Sequence, residues 1–174
     1  MDEVEFTVYG TPAPQGSKQP YAIYKGKSGA KVFTGKVALV EMSKRLKPWR
    51  AEVAAAARAL GIREPLDGPL VACMVFTIAR PKSHYRTGKF AHLLRDVAPV
   101  APACTPDFSK LVRATEDAMT GIVWKDDALV VRYEASGKVY AGSAEVDALD
   151  RPGAVIRVRP FVPALAVPGI GGAA

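Results

Sequence analysis

Cysteine and histidine are both scarce in this chain of 174 residues, which has two of each. Cys73 and Cys104 form no C-x-x-C pair and no Cys/His spacing of the zinc-binding kind, so neither a structural zinc module nor a disulfide scaffold organises the fold. Both thiols are expected to be free, in a reducing compartment. His84 and His92 are too sparse to argue for a histidine general base and read as surface residues. Long apolar runs are also missing: nothing reaches the roughly 18 uninterrupted apolar residues of a membrane span. The opening M-D-E-V-E-F is acidic and lacks the apolar core of a secretion signal. A cytoplasmic protein with no membrane partner is expected. No internal repeat is visible, which sets aside solenoid architectures.

What is present fits one globular domain. Apolar residues make up 49% and charged residues 24%, a balance that supports a real core in a chain of this length. Twenty-four Lys and Arg against 17 Asp and Glu leave a net charge of +7, so a polyanion would be attracted. The contrast that matters is local, because this basic chain carries a compact acidic stretch.

That stretch is residues 105–127, T-P-D-F-S-K-L-V-R-A-T-E-D-A-M-T-G-I-V-W-K-D-D. Thr105 suits an N-cap, Pro106 the first helical position and Asp107 the first turn, so a helix is predicted from about 106 to 120. Leu111, Ala114, Ala118, Met119 and Ile122 recur at three- and four-residue steps and give it an apolar stripe, and Gly121 is a plausible stop. Lys110, Arg113, Glu116 and Asp117 fall on or beside the polar sector, and Asp126-Asp127 leads into a strand. Carboxylates brought together repel one another unless a divalent cation such as Mg²⁺ sits between them. Spacing alone does not bring Asp107 to Asp126 and Asp127. The plain alternative is a dipole-complementing Asp107 and a solvated acidic turn.

Around this unit the chain reads as alternating strands, loops and one further helix. Residues 4–9 alternate at period two and predict a strand, followed by a Pro/Gly loop over 11–20 in which Lys18 can reach a phosphate. A small hairpin is predicted with strands at 21–24 and 31–34, turning at Gly26-Lys27-Ser28-Gly29, and its lysines could flank DNA. Residues 40–60 have helical character, with Trp49 as a core anchor, Pro48 near the start and Gly61 as the stop. Residues 69–78 are a continuous apolar run and predict a central strand. In A-R-P-K-S-H-Y-R-T-G-K, Lys82, Arg86 and Lys89 are candidate phosphate contacts and Tyr85 a candidate base-stacking residue. Two short strands around Ser136-Gly137, with Tyr133 and Lys138 outward, and a last strand over 154–158 complete the pattern. The fold class is α+β: a mixed sheet of four or five strands with two helices packed on it, spanning residues 1–160. Residues 161–174 carry no charge and read as a flexible tail.

The stretch P-D-F-S-K-L-V-R-A-T-E-D-A-M-T-G-I-V-W-K-D-D-A-L-V-V resembles the signature of the RusA family of Holliday-junction resolvases, roughly P-D-x-D-N/K-L-x-K/R-A-x-x-D-A-L-x-G followed by D-D and a strand. The opening F-T-V-Y-G-T-P-A-P-Q-G-S-K and the basic middle segment resemble phage-type members, so the likeness covers most of residues 4–140. It implies a homodimer in a phage or bacterial cytoplasm that binds four-way DNA junctions and nicks two opposed strands with Mg²⁺, for which Mn²⁺ can substitute. Asp107, Asp126 and Asp127 would be catalytic metal-binding carboxylates. Arg113 would take the place of a basic catalytic residue, and Lys110 would join Lys18, Lys82, Arg86 and Lys89 among the DNA contacts. One position departs: Ser109 stands where the family has its second aspartate. An ideal helix offsets residues 107 and 109 by about 200°, so the two can share a metal only if the turn is distorted or residue 107 lies before the helix proper. A hydroxyl could hold a metal-bound water but brings no charge. The rival reading is therefore a junction-binding protein with impaired turnover, and a third is a scaffold whose acidic helix is merely well capped.

Overall fold

The computed structural model describes residues 3–16, 18–26, 31–41 and 43–163. Strand β1 (Val4–Tyr9) alternates as its sequence predicts, with Val4, Phe6 and Val8 buried. It pairs antiparallel with β7 (Gly153–Pro160), which pairs antiparallel with β4 (Leu70–Ile78). β4 is the central strand the apolar run called for, and most of its residues on both faces are buried. Gly153 in β7 permits a close approach, since a Cβ there would lie 2.3 Å from the Val8 carbonyl oxygen.

On the other edge of β4 run β5 (Val130–Tyr133) and β6 (Gly137–Tyr140), both parallel to it. The two short strands of the sequence reading are thus successive pieces of one interrupted edge. Leu70 faces Val130 at one end and Ile78 faces Tyr140 at the other. Residues 134–136 bridge the gap: the Glu134 N–H donates to the Ala72 carbonyl (3.0 Å), and the Met74 N–H donates to the Ser136 hydroxyl (2.9 Å). β4 therefore keeps its backbone groups paired across the break. The mixed five-stranded sheet with two helices on one face confirms the α+β class.

Both helices start later than the sequence pattern suggests. Helix α1 spans Leu46–Ala59, not 40–60, because residues 37–40 pair in a ladder with residues 19–22. Pro48 falls in the first turn, where its missing N–H costs nothing, and Trp49 is fully buried. Helix α2 spans Phe108–Met119, with Asp107 in extended geometry as its N-cap residue. Thr105 is therefore not the N-cap and Pro106 not the first helical residue, as the composition had suggested; both lie before the helix, and the peptide between them is cis. Gly121, at φ +75°, follows the C-cap Thr120 and ends α2 as expected.

The core lies between the helices and the sheet. Phe76 of β4 is the hub, with its ring 6.4 Å from Trp49 and 6.0 Å from Phe108. The Trp49 indole N–H donates to the buried Thr115 hydroxyl (3.1 Å), which donates in turn to the Leu111 carbonyl (2.9 Å). The one polar group that α2 buries is thereby satisfied and welds the helices together. Arg50 of α1 and Asp117 of α2 add an ion pair.

On the opposite sheet face Arg157 binds both Asp147 oxygens at 2.6 Å and Glu5 at 2.9 Å. Phe161 still belongs to the body: its N–H donates to Pro69 O (2.8 Å) and its ring lies under Arg132. Residues 164–174, most of the expected tail, lie outside the described residues. Strands β2 (Lys18–Lys25) and β3 (Val32–Glu41) form a separate two-stranded sheet, longer than the predicted hairpin, and its turn at 27–30 is also outside them.

Candidate functional site

Helix α2 presents two faces. Leu111, Val112, Ala114, Thr115, Ala118 and Met119 turn inward. Ser109, Arg113 and Glu116, spaced i, i+4 and i+7, share the outward face. Against the first part of that face lies the Pro/Gly loop, pinned by a hydrogen bond from the Gln15 N–H to the Lys110 carbonyl (3.0 Å). Gln15, Gly16, Ser109, Lys110 and Arg113 line an open cleft of about 490 Å³. The Gln15 side-chain oxygen is buried with no donor among the described residues.

Asp107, the N-cap residue of α2, is linked to this cleft through Lys110. Its carboxylate is paired with Lys110 Nζ at 2.7 Å, and that hydrogen bond, with the lysine charge, holds it below the usual carboxylate range. The approach to Asp107 is fixed from β6, where Lys138 donates to the carbonyls of Cys104 (2.6 Å) and Pro106 (2.9 Å). Lys138 is folded onto the loop before α2 and does not point outward as the strand pattern suggested.

Asp126 and Asp127 are exposed at the other end of α2. Asp126 accepts from the Ala128 N–H (2.8 Å) and caps the short 3₁₀ turn Asp127–Leu129. Asp127 faces Glu116 and Tyr133: burial raises the Glu116 carboxyl, and the charges of Asp127 and Asp117 raise it further. Tyr133 donates its hydroxyl to Glu116, and it too is pushed above its ordinary range, by burial first and then by that carboxylate. Glu116 lies nine residues beyond Asp107, or about 13 Å along the helix. Asp107 and the Asp126-Asp127 turn are thus attached to opposite ends of α2.

These donors are carboxylate and hydroxyl oxygens, the kind that Mg²⁺ accepts. Among the described residues, no three His, Cys, Asp or Glu side chains are grouped to hold a metal ion. The protein therefore offers one or two carboxylates at a place, which suits an ion whose shell is completed by water and by substrate phosphate. Asp107 does lie before the helix proper, the condition under which position 109 and residue 107 can face one ligand.

The sequence profile of the family Endodeoxyribonuclease RusA matches residues 13–148. The chain belongs to the RusA family. Its members are endodeoxyribonucleases that act on branched DNA, and the match runs from the Pro/Gly loop through α2 to beyond β6. The chain is also 28% identical to the uncharacterized protein YqaN of Bacillus subtilis (strain 168), over 87% of its own length and 97% of that protein's.

Within the RusA motif, much of the pattern serves packing: Leu111, Ala114, Ala118 and Met119 are core, and Asp117 is the α1 clamp.

The basic segment after β4 divides in two. Arg86 is tied to Asp96 (2.8 Å) and to the Leu94 carbonyl, bracing its own loop, while Lys82 and Lys89 are exposed. Tyr85 pairs its backbone with Leu94. His84 is half-buried edge-on to Tyr140, so it is not the plain surface residue expected. Lys18 opens β2, and its side chain lies outside the described residues. Sequence reasoning passed over Glu116 and Tyr133 as a pair. The i+7 spacing from Ser109 gave half of that signal, but Tyr133 comes from a different strand.

Proposed function

We propose that this protein is a structure-selective endodeoxyribonuclease that resolves four-way DNA junctions with Mg²⁺, Mn²⁺ substituting, and that it works as a homodimer making paired nicks. The observation that carries this reading is the outward face of α2, where Ser109, Lys110 and Arg113 meet the Gln15-Gly16 loop and Lys110 holds Asp107, on a chain of net charge +7. Asp107 at one end of α2 and Asp126 with Asp127 at the other would each offer carboxylate oxygens to a cation whose shell is completed by water and substrate phosphate, with Ser109 reaching it through water on the Asp107 side. When bound, the cation supplies Lewis acidity toward the phosphate and makes water easier to deprotonate.

The chain's own groups do the remaining work. Arg113 and Lys110 place positive charge where it builds on the phosphorus oxygens. Gly16, with no side chain, leaves room for a phosphate against the loop backbone. Lys110 also holds the Asp107 carboxylate ionised and aimed until DNA draws the lysine away. Lys82 and Lys89 add phosphate contacts that position the duplex without reading its sequence. Two-fold symmetry of the dimer matches the two opposed strands of a junction.

Ser109 favours a second reading, a junction-binding protein with impaired turnover, because an exposed hydroxyl stands at the cleft where the family pattern has a carboxylate. Single-turnover cleavage of a synthetic four-way junction across a Mg²⁺ titration separates the two. Asp127→Asn is expected to abolish cutting and keep binding. Ser109→Asp is expected to speed cutting and shift the Mg²⁺ dependence to lower concentration. Unimpaired cutting by Asp127→Asn would remove that residue from the metal shell. Robust cutting by the Ser109 protein with no gain from aspartate would show that the second carboxylate is dispensable.

A further inference from the structure

Among the described residues, the β2–β3 hairpin shares no strand pairing with the main sheet. A lone two-stranded sheet is marginal in water unless something covers it. Here large apolar side chains remain exposed on both faces: Tyr24 (56%), Phe33 (49%), Val37 and Leu39 (66%) on one, Ile23 and Val32 (70%) on the other. Tyr24 and Phe33 are cross-strand partners whose rings lie 5.8 Å apart, tilted at 56°, and together they form an exposed aromatic platform near the end of the ladder. Residues 18–41 carry five lysines against one glutamate, a net +4, and so hold more than half of the chain's +7. Two arms of that charge repel each other, whereas a polyanion is attracted. Exposed aromatics set among lysines are the combination that binds unstacked nucleic-acid bases: the rings take the base faces and the ammonium groups take the phosphates.

We propose that the β2–β3 hairpin is a DNA-engaging arm whose Tyr24–Phe33 platform stacks on bases unstacked at a branch point, with Lys25 and Lys36 on the flanking phosphates. The assignment rests on the nuclease reading for its substrate and adds a site that lies outside the α2 cleft. The chain itself connects the two. Gly16 lines the cleft and β2 begins at Lys18, from which eight extended residues reach about 25 Å. The register is irregular at Ala22 and Tyr24, where residues 34–36 of β3 oppose Ile23 alone; Gly35 there has φ +71° and the Thr34 hydroxyl donates to the Ile23 carbonyl (2.7 Å). Such an irregularity twists a hairpin and re-aims the residues beyond it, which here are Tyr24 and Phe33.

The test uses the full chain and a synthetic four-way junction with 2-aminopurine at the branch point, alongside linear duplex of the same arms. Wild type is expected to change the 2-aminopurine fluorescence. The Tyr24→Ala/Phe33→Ala double variant, which touches no core residue, is expected to lose that change and about tenfold or more in junction affinity while keeping its affinity for duplex. Equal junction affinity and an unchanged fluorescence response in the double variant would overturn the arm and leave the nuclease reading standing. A wild type that binds the junction no more tightly than the duplex would overturn the nuclease reading and the arm's substrate with it. A double variant that sediments as monomer where wild type is dimer, with junction and duplex binding falling together, would assign the platform to a second copy of the chain instead.

Discussion

Helix α2 and the β2–β3 hairpin handle apolar side chains in opposite ways. In α2, Leu111 and Met119 are fully buried, and each such side chain contributes about 1.5–3 kcal/mol of hydrophobic stabilisation. In the hairpin, Val32 and Leu39 are 70% and 66% exposed and gain almost none of it. The difference is one of neighbours, since α2 is packed against α1 and Phe76 whereas, among the described residues, the hairpin's two strands pair only with each other. The catalytic role proposed for the outward face of α2 needs side chains held in place, and the core beneath α2 provides that rigidity. The hairpin keeps its apolar surface for a partner.

Substitutions that sort the two regions should differ sharply in cost. The largest effect is expected from Trp49→Ala, which leaves a cavity between α1 and Phe76 and removes the donor to Thr115: a loss of about 3–5 kcal/mol in urea unfolding. A loss under 1 kcal/mol would mean that the α1–α2 block is not the stabilising unit. Next comes Gly153→Ala, whose new Cβ would meet the Val8 carbonyl oxygen and should cost about 1–3 kcal/mol by forcing β1 from β7; a neutral result in the same assay would show that β1 can shift freely.

Asp147 sharpens the contrast through pH. Its hydrogen bonds to Arg157 hold its carboxyl below the ordinary value, so it adds stability above the unfolded-state pKa that is lost as pH falls through the lower folded value. Asp147→Asn should therefore cost roughly 1.5 kcal/mol at neutral pH and flatten the acid limb of a plot of Tm against pH. An unchanged acid limb would mean that other carboxylates carry it. The smallest effect belongs to the arm: Leu39→Thr should change stability by less than about 0.5 kcal/mol. A loss comparable to that of Gly153→Ala would show that the hairpin is part of the cooperative core.

The sequence by itself determined the local units. Period-two alternation marked β1, the unbroken apolar run marked β4 as central, and three- and four-residue spacing marked the buried face of α2 down to Leu111 and Met119. These signals are legible because burial on one face imposes a backbone period on the chain. Composition placed Pro48 and Gly61 at the ends of α1 and Gly121 past the end of α2, since their backbone preferences act within a single turn. The family signature was equally local, a run of residues on one helix and the turn after it. Tertiary structure decided whatever depends on partners distant in the chain. Residues 37–40 became strand, not helix, because residues 19–22 pair with them. The strands around Ser136 became one broken edge because β4 supplies the ladder for both. Asp107 came to rest on Lys110, and Asp127 opposite Glu116 and Tyr133, because α2 separates the two ends of the acidic stretch by its own length. No periodicity encodes such meetings, because they follow from how whole elements pack.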